Sequence, residues 1–283
     1  MSGFAAVRWF FFAVYLAIFF TLPPWLLWEH TGLLVGLFLT AVFIYWLRVH
    51  ATERIQRRLA VRKLTFAEAP QVHTIVDEYC RRLRIRKPQL DLLESLSVNI
   101  AQFGFRRGAT HLVLTRGLVD ALRPPELAAI LARELCLLKA GEVPGQSWLS
   151  QFLAVIDWFV GTPVKISSHH VRREYSLKLV SRQVVFYPLS LFPTFLLRSR
   201  RDPGKLDLQS LGLSKKPEAL AEALRFIDAV KDRHPLAVPF NARHLFLLPP
   251  TTKDPLARIF FDSEELHPRI GSLEKLRRVL TLS

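Results

Sequence analysis

The sequence predicts an α+β protein that is mostly helical, with a membrane-anchored helical hairpin followed by a domain that contains one small sheet. Half of the 283 residues are hydrophobic, and the mean hydropathy is +0.20, which is high for a soluble protein. Two long uncharged stretches lie near the N-terminus. From about residue 68 onward, amphipathic helical patterns alternate with short strand-like runs.

Residues 1–50 predict a transmembrane helical hairpin. Trp9–Leu27 and Gly32–Leu47 carry no charged residue, and each is long enough, or nearly so, to cross a hydrocarbon core about 30 Å thick. The turn between them contains Glu29 but no Lys or Arg, whereas a strongly basic run follows the second stretch. By the positive-inside rule both ends of the hairpin are cytoplasmic. We therefore expect an integral membrane protein of the bacterial inner membrane whose domain faces the cytoplasm; two buried core helices are the alternative.

Two later stretches, 148–166 and 184–197, are also apolar. The first contains Gln151 and Asp157, and the second is short and interrupted by two prolines. If both crossed the membrane, the basic segment between them would lie outside, against the positive-inside rule. We expect both stretches to lie against the bilayer or dip into it. A second transmembrane hairpin is the alternative.

Residues 51–283 predict the globular domain. Its amphipathic helices are predicted at 68–83, 124–139 and 216–230, and its strands at 89–95, 97–105 and 110–116. Residues 198–217 are polar and rich in turn-forming residues, which predicts a surface insertion.

One predicted helix has the frame of a zinc site. Such a site places two histidines one helical turn apart, and a glutamate beside the first acts as general base on the metal-bound water. Here Glu134 is in place, but Arg133 and Leu137 stand where the histidines would be. Arginine cannot lose its proton to become a ligand, and leucine has no donor atom. The motif therefore predicts a lost metal site.

Four stretches resemble, in order and spacing, the HtpX-type membrane zinc metallopeptidases, which are relatives of the CAAX prenyl proteases. The stretches are 68–95, 97–122, 125–142 and 171–182. The resemblance implies a zincin-like (gluzincin) cytoplasmic domain, in a degenerate member of the family. It also implies that Glu174 stands at the third ligand position, with Lys178 where the family has an aspartate.

Residues 133, 137 and 174 converge on one ion in that family. We therefore expect no functional catalytic residue and no zinc or other cofactor. The resemblance implies that Arg133 and Glu174 still face each other. We expect them to form a buried ion pair in place of the metal, shared with Glu134, with Leu137 filling the remaining space.

The family binds its substrate as an extended chain along an edge strand. Asn99, Ile100, Ala101 and Gln102 occupy the corresponding strand. Because backbone pairing needs no zinc, these four residues predict a site for a protein or peptide partner. An edge strand that only completes the sheet is the alternative.

These observations favour a pseudo-peptidase that binds without cutting and serves as a scaffold, regulator or adaptor. The alternative is an active membrane metalloendopeptidase with a metal site rebuilt around His169, His170 and Glu174. His170 lies four residues before Glu174, so the two could share a helix face. Solvated histidines near a membrane surface would give the same pattern.

The charge balance predicts an anionic partner. The net charge is +15, from 39 basic and 24 acidic residues. The basic clusters at 54–63, 81–87 and 198–201 lack interleaved aromatic residues and adjoin apolar segments. We therefore expect an anionic lipid surface and no nucleic acid. Cys80 and Cys136 form no disulfide framework, which indicates a reducing compartment.

Overall fold

The computed structural model describes residues 3–106, 109–160, 191–196, 203–236, 238, 240–249, 270–271 and 273. It is mostly helical with a small mixed sheet, which confirms the predicted fold class. Its elements are α1 (Gly3–Leu59), β1 (Arg62–Lys63), α2 (Pro70–Leu83), β2 (Gln89–Leu93), β3 (Ile100–Arg106), β4 (Ala109–Thr115), α3 (Arg116–Ala121), α4 (Pro124–Ala140), α5 (Val143–Val160), α6 (Pro203–Ser214), α7 (Pro217–Val230) and the 3₁₀ helix η1 (Phe240–Leu245).

The element α1 consists of two apolar helices joined at a kink. Glu29 leaves the helical region there, with φ 48° and ψ −123°. The two halves then run back along each other at very short range. A Cβ on Gly36 would come within 2.4 Å of the Thr21 Cα, and one on Gly32 within 1.9 Å of the Pro24 carbonyl oxygen. Because only a hydrogen fits at these positions, the glycines allow the two backbones to pack as a hairpin.

The surface of the hairpin suits a hydrocarbon environment. Its apolar run Trp9–Trp46 is long and apolar enough to cross a membrane. Leu26, Leu27 and Phe38 are each about two-thirds exposed or more, at 69%, 71% and 67%. An exposed apolar surface of this extent is a mark of contact with a membrane or a partner.

Helix α5 packs against the first half of the hairpin. The ring centroids of Trp148 and Trp9 are 6.1 Å apart, and those of Phe152 and Phe12 are 6.3 Å apart. The helical residues 191–196 contact the same half through Phe192. The described parts of the two later apolar stretches therefore lie alongside the hairpin, and how far they enter the bilayer stays a prediction.

The described strands form a four-stranded sheet in the order β1-β2-β4-β3. β2 and β4 are parallel, whereas β1 and β3 are antiparallel to their neighbours, so β3 is an edge strand. Helices α2, α4 and α7 share the main apolar core with the sheet. The second half of α1 continues beyond its apolar run and buries Ile55 and Leu59 in a second cluster with β3 and η1. The hairpin is thereby joined directly to the sheet.

The prediction of a surface insertion at 198–217 is wrong for residues 203–217. These residues include helix α6, which packs against α4. Leu206, Asp207 and Ser210 are buried, and so is Pro217 at the start of α7. The glycines and serines of α6 resemble turn residues, but Ser210 is fully buried within the helix. Residues 198–202 lie outside the described residues.

Candidate functional site on helix α4

Local sequence signals position the site helix. Two prolines occupy the first turn of α4, where their missing N–H groups would be unsatisfied in any residue. The Glu126 carboxylate accepts a hydrogen bond from the Arg123 backbone N–H at 2.9 Å. Gly141, with φ 76°, ends the helix in the left-handed region. The frame residues Arg133 and Glu134 therefore lie in the third turn, at 5% and 2% exposure.

Arg133 forms two buried ion pairs. Its Nε lies 3.0 Å from Asp207 Oδ1 on α6, and its Nη1 lies 2.5 Å from Glu134 Oε1. Asp207 is only 2% exposed. Since a buried charge is costly unless it is paired and hydrogen-bonded, the guanidinium and the two carboxylates stabilise one another in the interior.

Both carboxylate oxygens of Glu134 are engaged. Arg133 donates to Oε1, and the Gln102 amide Nε2 donates to Oε2. The same amide nitrogen also donates to the Glu134 backbone carbonyl at 2.8 Å. Gln102 is on β3, so Glu134 joins α4 to the edge strand while Arg133 joins α4 to α6.

The neighbouring residues Cys136 and Leu137 on α4 are apolar in character. Leu137 is half-buried one turn after Arg133. Cys136 is buried, and burial raises the pKa of its thiol. A buried, protonated thiol is a poor nucleophile and a poor metal ligand.

The described side chains at this position do not fit Zn²⁺. The first ligand position holds a cationic guanidinium and the second holds a hydrocarbon, neither of which can donate a lone pair to a metal. Across the part of the chain that the structure describes, no three His, Cys, Asp or Glu side chains converge as a metal-binding group. His169, His170 and Glu174 lie outside this part. The Arg133–Glu174 pair and the rebuilt metal site therefore stay predictions.

Sequence reasoning missed Asp207 as a site residue. Its segment was interpreted as an insertion, so its carboxylate was not considered as a partner for Arg133. A signal was available, because Pro203 is a typical first-turn residue of a helix.

In the described structure the edge of β3 at the four predicted residues is covered by residues 246–248 of the same chain, and partner binding there stays a prediction. Asn99, Ile100, Ala101 and Gln102 are all buried, with at most 3% exposure. Ala101 bridges to Phe246, and the Leu247 N–H donates to the Ile100 carbonyl at 2.8 Å. The physical reason is that buried backbone groups require partners, which the chain supplies from its own C-terminal part.

Two further histidines, His111 and His73, make contacts within the domain. His111 Nδ1 lies 2.7 Å from Asp91 Oδ2, and its ring stacks on Phe103. His73 contacts the Leu64 carbonyl oxygen at 3.2 Å. These contacts hold neighbouring elements of the domain together.

Comparison with known proteins shows similarity along most of the chain. The Protease HtpX homolog 2 of Methanosarcina mazei is 24% identical over 259 residues, covering 88% of this chain and 85% of that protein. The Protease HtpX homolog of Salinibacter ruber is 23% identical over 254 residues, covering 87% and 89%. The homolog of the same name from Nostoc sp. is 25% identical over 271 residues, covering 90% and 91%. No profile of a known protein family matches the chain.

Similarity of this extent, together with the apolar hairpin and the helical domain with its small sheet, is consistent with an HtpX-like membrane protein. The chain is therefore similar, along most of its length, to proteins named as HtpX homologues, in agreement with the order of its sequence motifs.

Proposed function

We propose that this protein is a catalytically inactive, membrane-anchored HtpX-like pseudo-peptidase that acts by binding a protein or peptide partner. The observation that carries the proposal is the position of the Arg133 guanidinium. It stands at the first ligand position and is bonded to Glu134 and Asp207. A fixed positive charge at this point repels Zn²⁺ and takes up the carboxylates that could attract it.

The contacts of Glu134 support the same conclusion. As a general base, this residue would need a carboxylate oxygen free to accept a proton from a water molecule. Its two oxygens accept hydrogen bonds from Arg133 and Gln102. A carboxylate held between a guanidinium and an amide serves as a structural hydrogen-bond acceptor.

We assign the third-ligand helix of the family to α6 in this chain. The family places an aspartate four residues after the ligand glutamate, on a helix that packs against the zinc helix. Helix α6 packs against α4 and brings Asp207 to Arg133. Four residues before Asp207 is Pro203, which has no donor atom. On this assignment all three ligand positions have lost their ligands, whereas the earlier assignment keeps one at Glu174.

The residues at the end of the apolar run of α1 support the proposed orientation in the membrane. The Arg54 guanidinium lies 3.9 Å from the centroid of the Trp46 ring, and Arg57 and Arg58 are exposed beyond it. Tryptophan is typical of the bilayer interface, and adjacent arginines are typical of an anionic cytoplasmic leaflet. We therefore propose that the domain lies in the cytoplasm, against the inner membrane of a bacterium.

Ligand restoration tests the assignment and the inactivity together. We expect the purified full-length protein to hold less than about a tenth of an equivalent of zinc and to leave casein intact. Arg133→His with Leu137→His should remain zinc-poor, because the third ligand is still absent. Adding Pro203→Glu should bring zinc to about one equivalent, and a further Glu174→Ala should leave it there.

Two results would contradict the proposal. Zinc that is present in the wild-type protein and lost in His170→Ala would favour the rebuilt site. Chelator-sensitive proteolysis that disappears in Glu134→Gln would show an active peptidase. If the two-histidine variant binds zinc and loses it on Glu174→Ala, the third-ligand helix is not α6.

A further inference from the structure

We propose that a segment of the chain itself occupies the edge of β3 to which a peptide would pair, and that a partner binds by displacing this segment. The occupant is the segment 240–248, here called the strap, which comprises η1 and the three residues that follow. The inference rests on the proposed function, because it assigns the place and the manner of partner binding. It also explains how an edge strand can be buried and still serve as a binding site.

The strap pairs with β3 as an added strand would. Phe246 faces Ala101 in an antiparallel bridge, and the next residue, Leu247, donates its N–H to the Ile100 carbonyl at 2.8 Å. Antiparallel pairing to an exposed sheet edge is a general mode of peptide recognition. The strap therefore uses the backbone groups that an extended peptide would use.

Asn99 extends this pairing by one residue. Its side-chain Nδ2 donates to the Leu248 carbonyl at 2.7 Å, and its Oδ1 accepts from the Leu248 N–H at 3.3 Å. The same oxygen accepts from the Ile100 N–H at 2.9 Å. Asn99 thus binds both main-chain polar groups of Leu248. Recognition of this kind accepts any residue type whose backbone is extended.

The two parts of the strap are held in different ways. In η1, Asn241 donates to the Ser150 carbonyl and His244 contacts the Gln146 carbonyl, so side chains anchor this part to α5. Residues 246–248 are held by the backbone bond from Leu247 to Ile100, by the Asn99 side chain at Leu248 and by burial of their own side chains. The anchored part can therefore stay in place while residues 246–248 leave the edge.

The buried side chains define the partner. Phe246, Leu247 and Leu248 are only 4%, 7% and 7% exposed. Phe246 packs in the cluster on the α1 side of the sheet, and the two leucines pack in the main core. A competitor must fill the same spaces, or the cavities left behind would disfavour the exchange. The partner is therefore an extended segment with consecutive large apolar residues, as in an unfolded protein chain.

A disulfide lock tests the inference on the full-length protein in detergent. Ala101→Cys with Phe246→Cys places two thiols at facing positions of an antiparallel pair, where the backbone spacing allows a disulfide. The probe is a labelled, lysine-flanked peptide that contains Phe-Leu-Leu. We expect it to bind the reduced variant and to lose at least tenfold in affinity when the lock is oxidised, with recovery on reduction. Ala101→Cys alone should be insensitive to oxidation.

A second variant and a second peptide give independent checks. Leu247→Pro removes the N–H that donates to Ile100, so the peptide should bind at least tenfold more tightly than to the wild type. The peptide whose central leucine is N-methylated should not compete, since it lacks the same donor.

Equal affinity of the oxidised and reduced lock would overturn the inference, and so would absence of binding in both states. Zinc content and casein cleavage, measured on the same preparations, test the proposed function separately. If the protein is zinc-free and inactive but oxidation of the disulfide does not change peptide affinity, the strap inference is wrong and the proposed function still stands.

Discussion

Arg133 and Asp207 form a buried ion pair between α4 and α6, in which Nε and Oδ1 are 3.0 Å apart. In a zinc peptidase the metal joins the helices that supply its ligands, and its loss would leave converging polar groups without a common partner. Here a guanidinium supplies a fixed charge and several donors in the same region. Since Glu134 and Gln102 extend the network to β3, these residues connect α4 with both α6 and the edge strand.

We predict strong energetic coupling between Arg133 and Asp207. Asp207→Leu should lower the free energy of unfolding by about 3 kcal/mol, because the guanidinium loses one of its two carboxylates. Arg133→Met should cost more, since it leaves both Glu134 and Asp207 without their cation. The double variant should be more stable than the sum of the single changes predicts, by about 0.5–3 kcal/mol. Denaturant unfolding in detergent measures all four proteins, and additive effects would argue against the pair as a structural tie.

The hairpin should depend on Gly36. Gly36→Val places a branched side chain where even a Cβ would lie 2.4 Å from the Thr21 Cα, so the two halves of α1 must separate. We expect a clearly lower melting temperature in detergent. Gly212→Ala is the matched control, because a Cβ at that position meets nothing within 4 Å. The control should be neutral or slightly stabilising, as alanine favours helix over glycine by about 1 kcal/mol. Equal effects of the two substitutions would contradict close packing at Gly36.

The topology predicts opposite labelling at the two ends of the second half of α1. A cysteine introduced as His30→Cys should react with a membrane-impermeant reagent added to intact cells. A cysteine introduced as Arg57→Cys should react only after the cells are opened. The basic run after the hairpin and the basic-free turn are the physical reason. Labelling of residue 30 from the cytoplasmic side alone would reverse the proposed orientation.

The native cysteines should not react with the labelling reagent. Burial raises the pKa of Cys80 to about 11, and burial also raises the pKa of Cys136. Both thiols are free and buried, so they should not react with a thiol reagent at pH 8 and should react fully in denaturant.

The raised thiol pKa values also set a pH dependence. In the unfolded chain a cysteine loses its proton near pH 8.5, so about this pH the unfolded state begins to bind fewer protons than the folded state. The contribution to stability is therefore complete below that pH and is lost as the pH rises toward about 11 for Cys80. Unfolding measured from pH 7 to pH 10 should show this decline, and Cys80→Ala should reduce it. A decline unchanged by that substitution would assign it to other groups.

The sequence by itself determined the features that depend on residue type and spacing. Long uncharged runs have few alternatives to a bilayer or a core, and the glycine and proline signals set the ends of α4. That residues 133 and 137 cannot be zinc ligands is also decided without a structure, because no conformation lets arginine or leucine bind zinc. These are properties of single residues or short windows.

Only the tertiary structure decided which distant residues meet. Asp207 is 74 residues from Arg133, and its segment has the composition of a surface loop. Leu248 is 149 residues from Asn99, and nothing local marks it as a strand partner. Such pairings follow from how helices and strands bury their apolar faces together, and from the need of each buried charge or backbone group for a partner. That need is visible at one residue, but the partner that satisfies it is chosen by the packing of the whole domain.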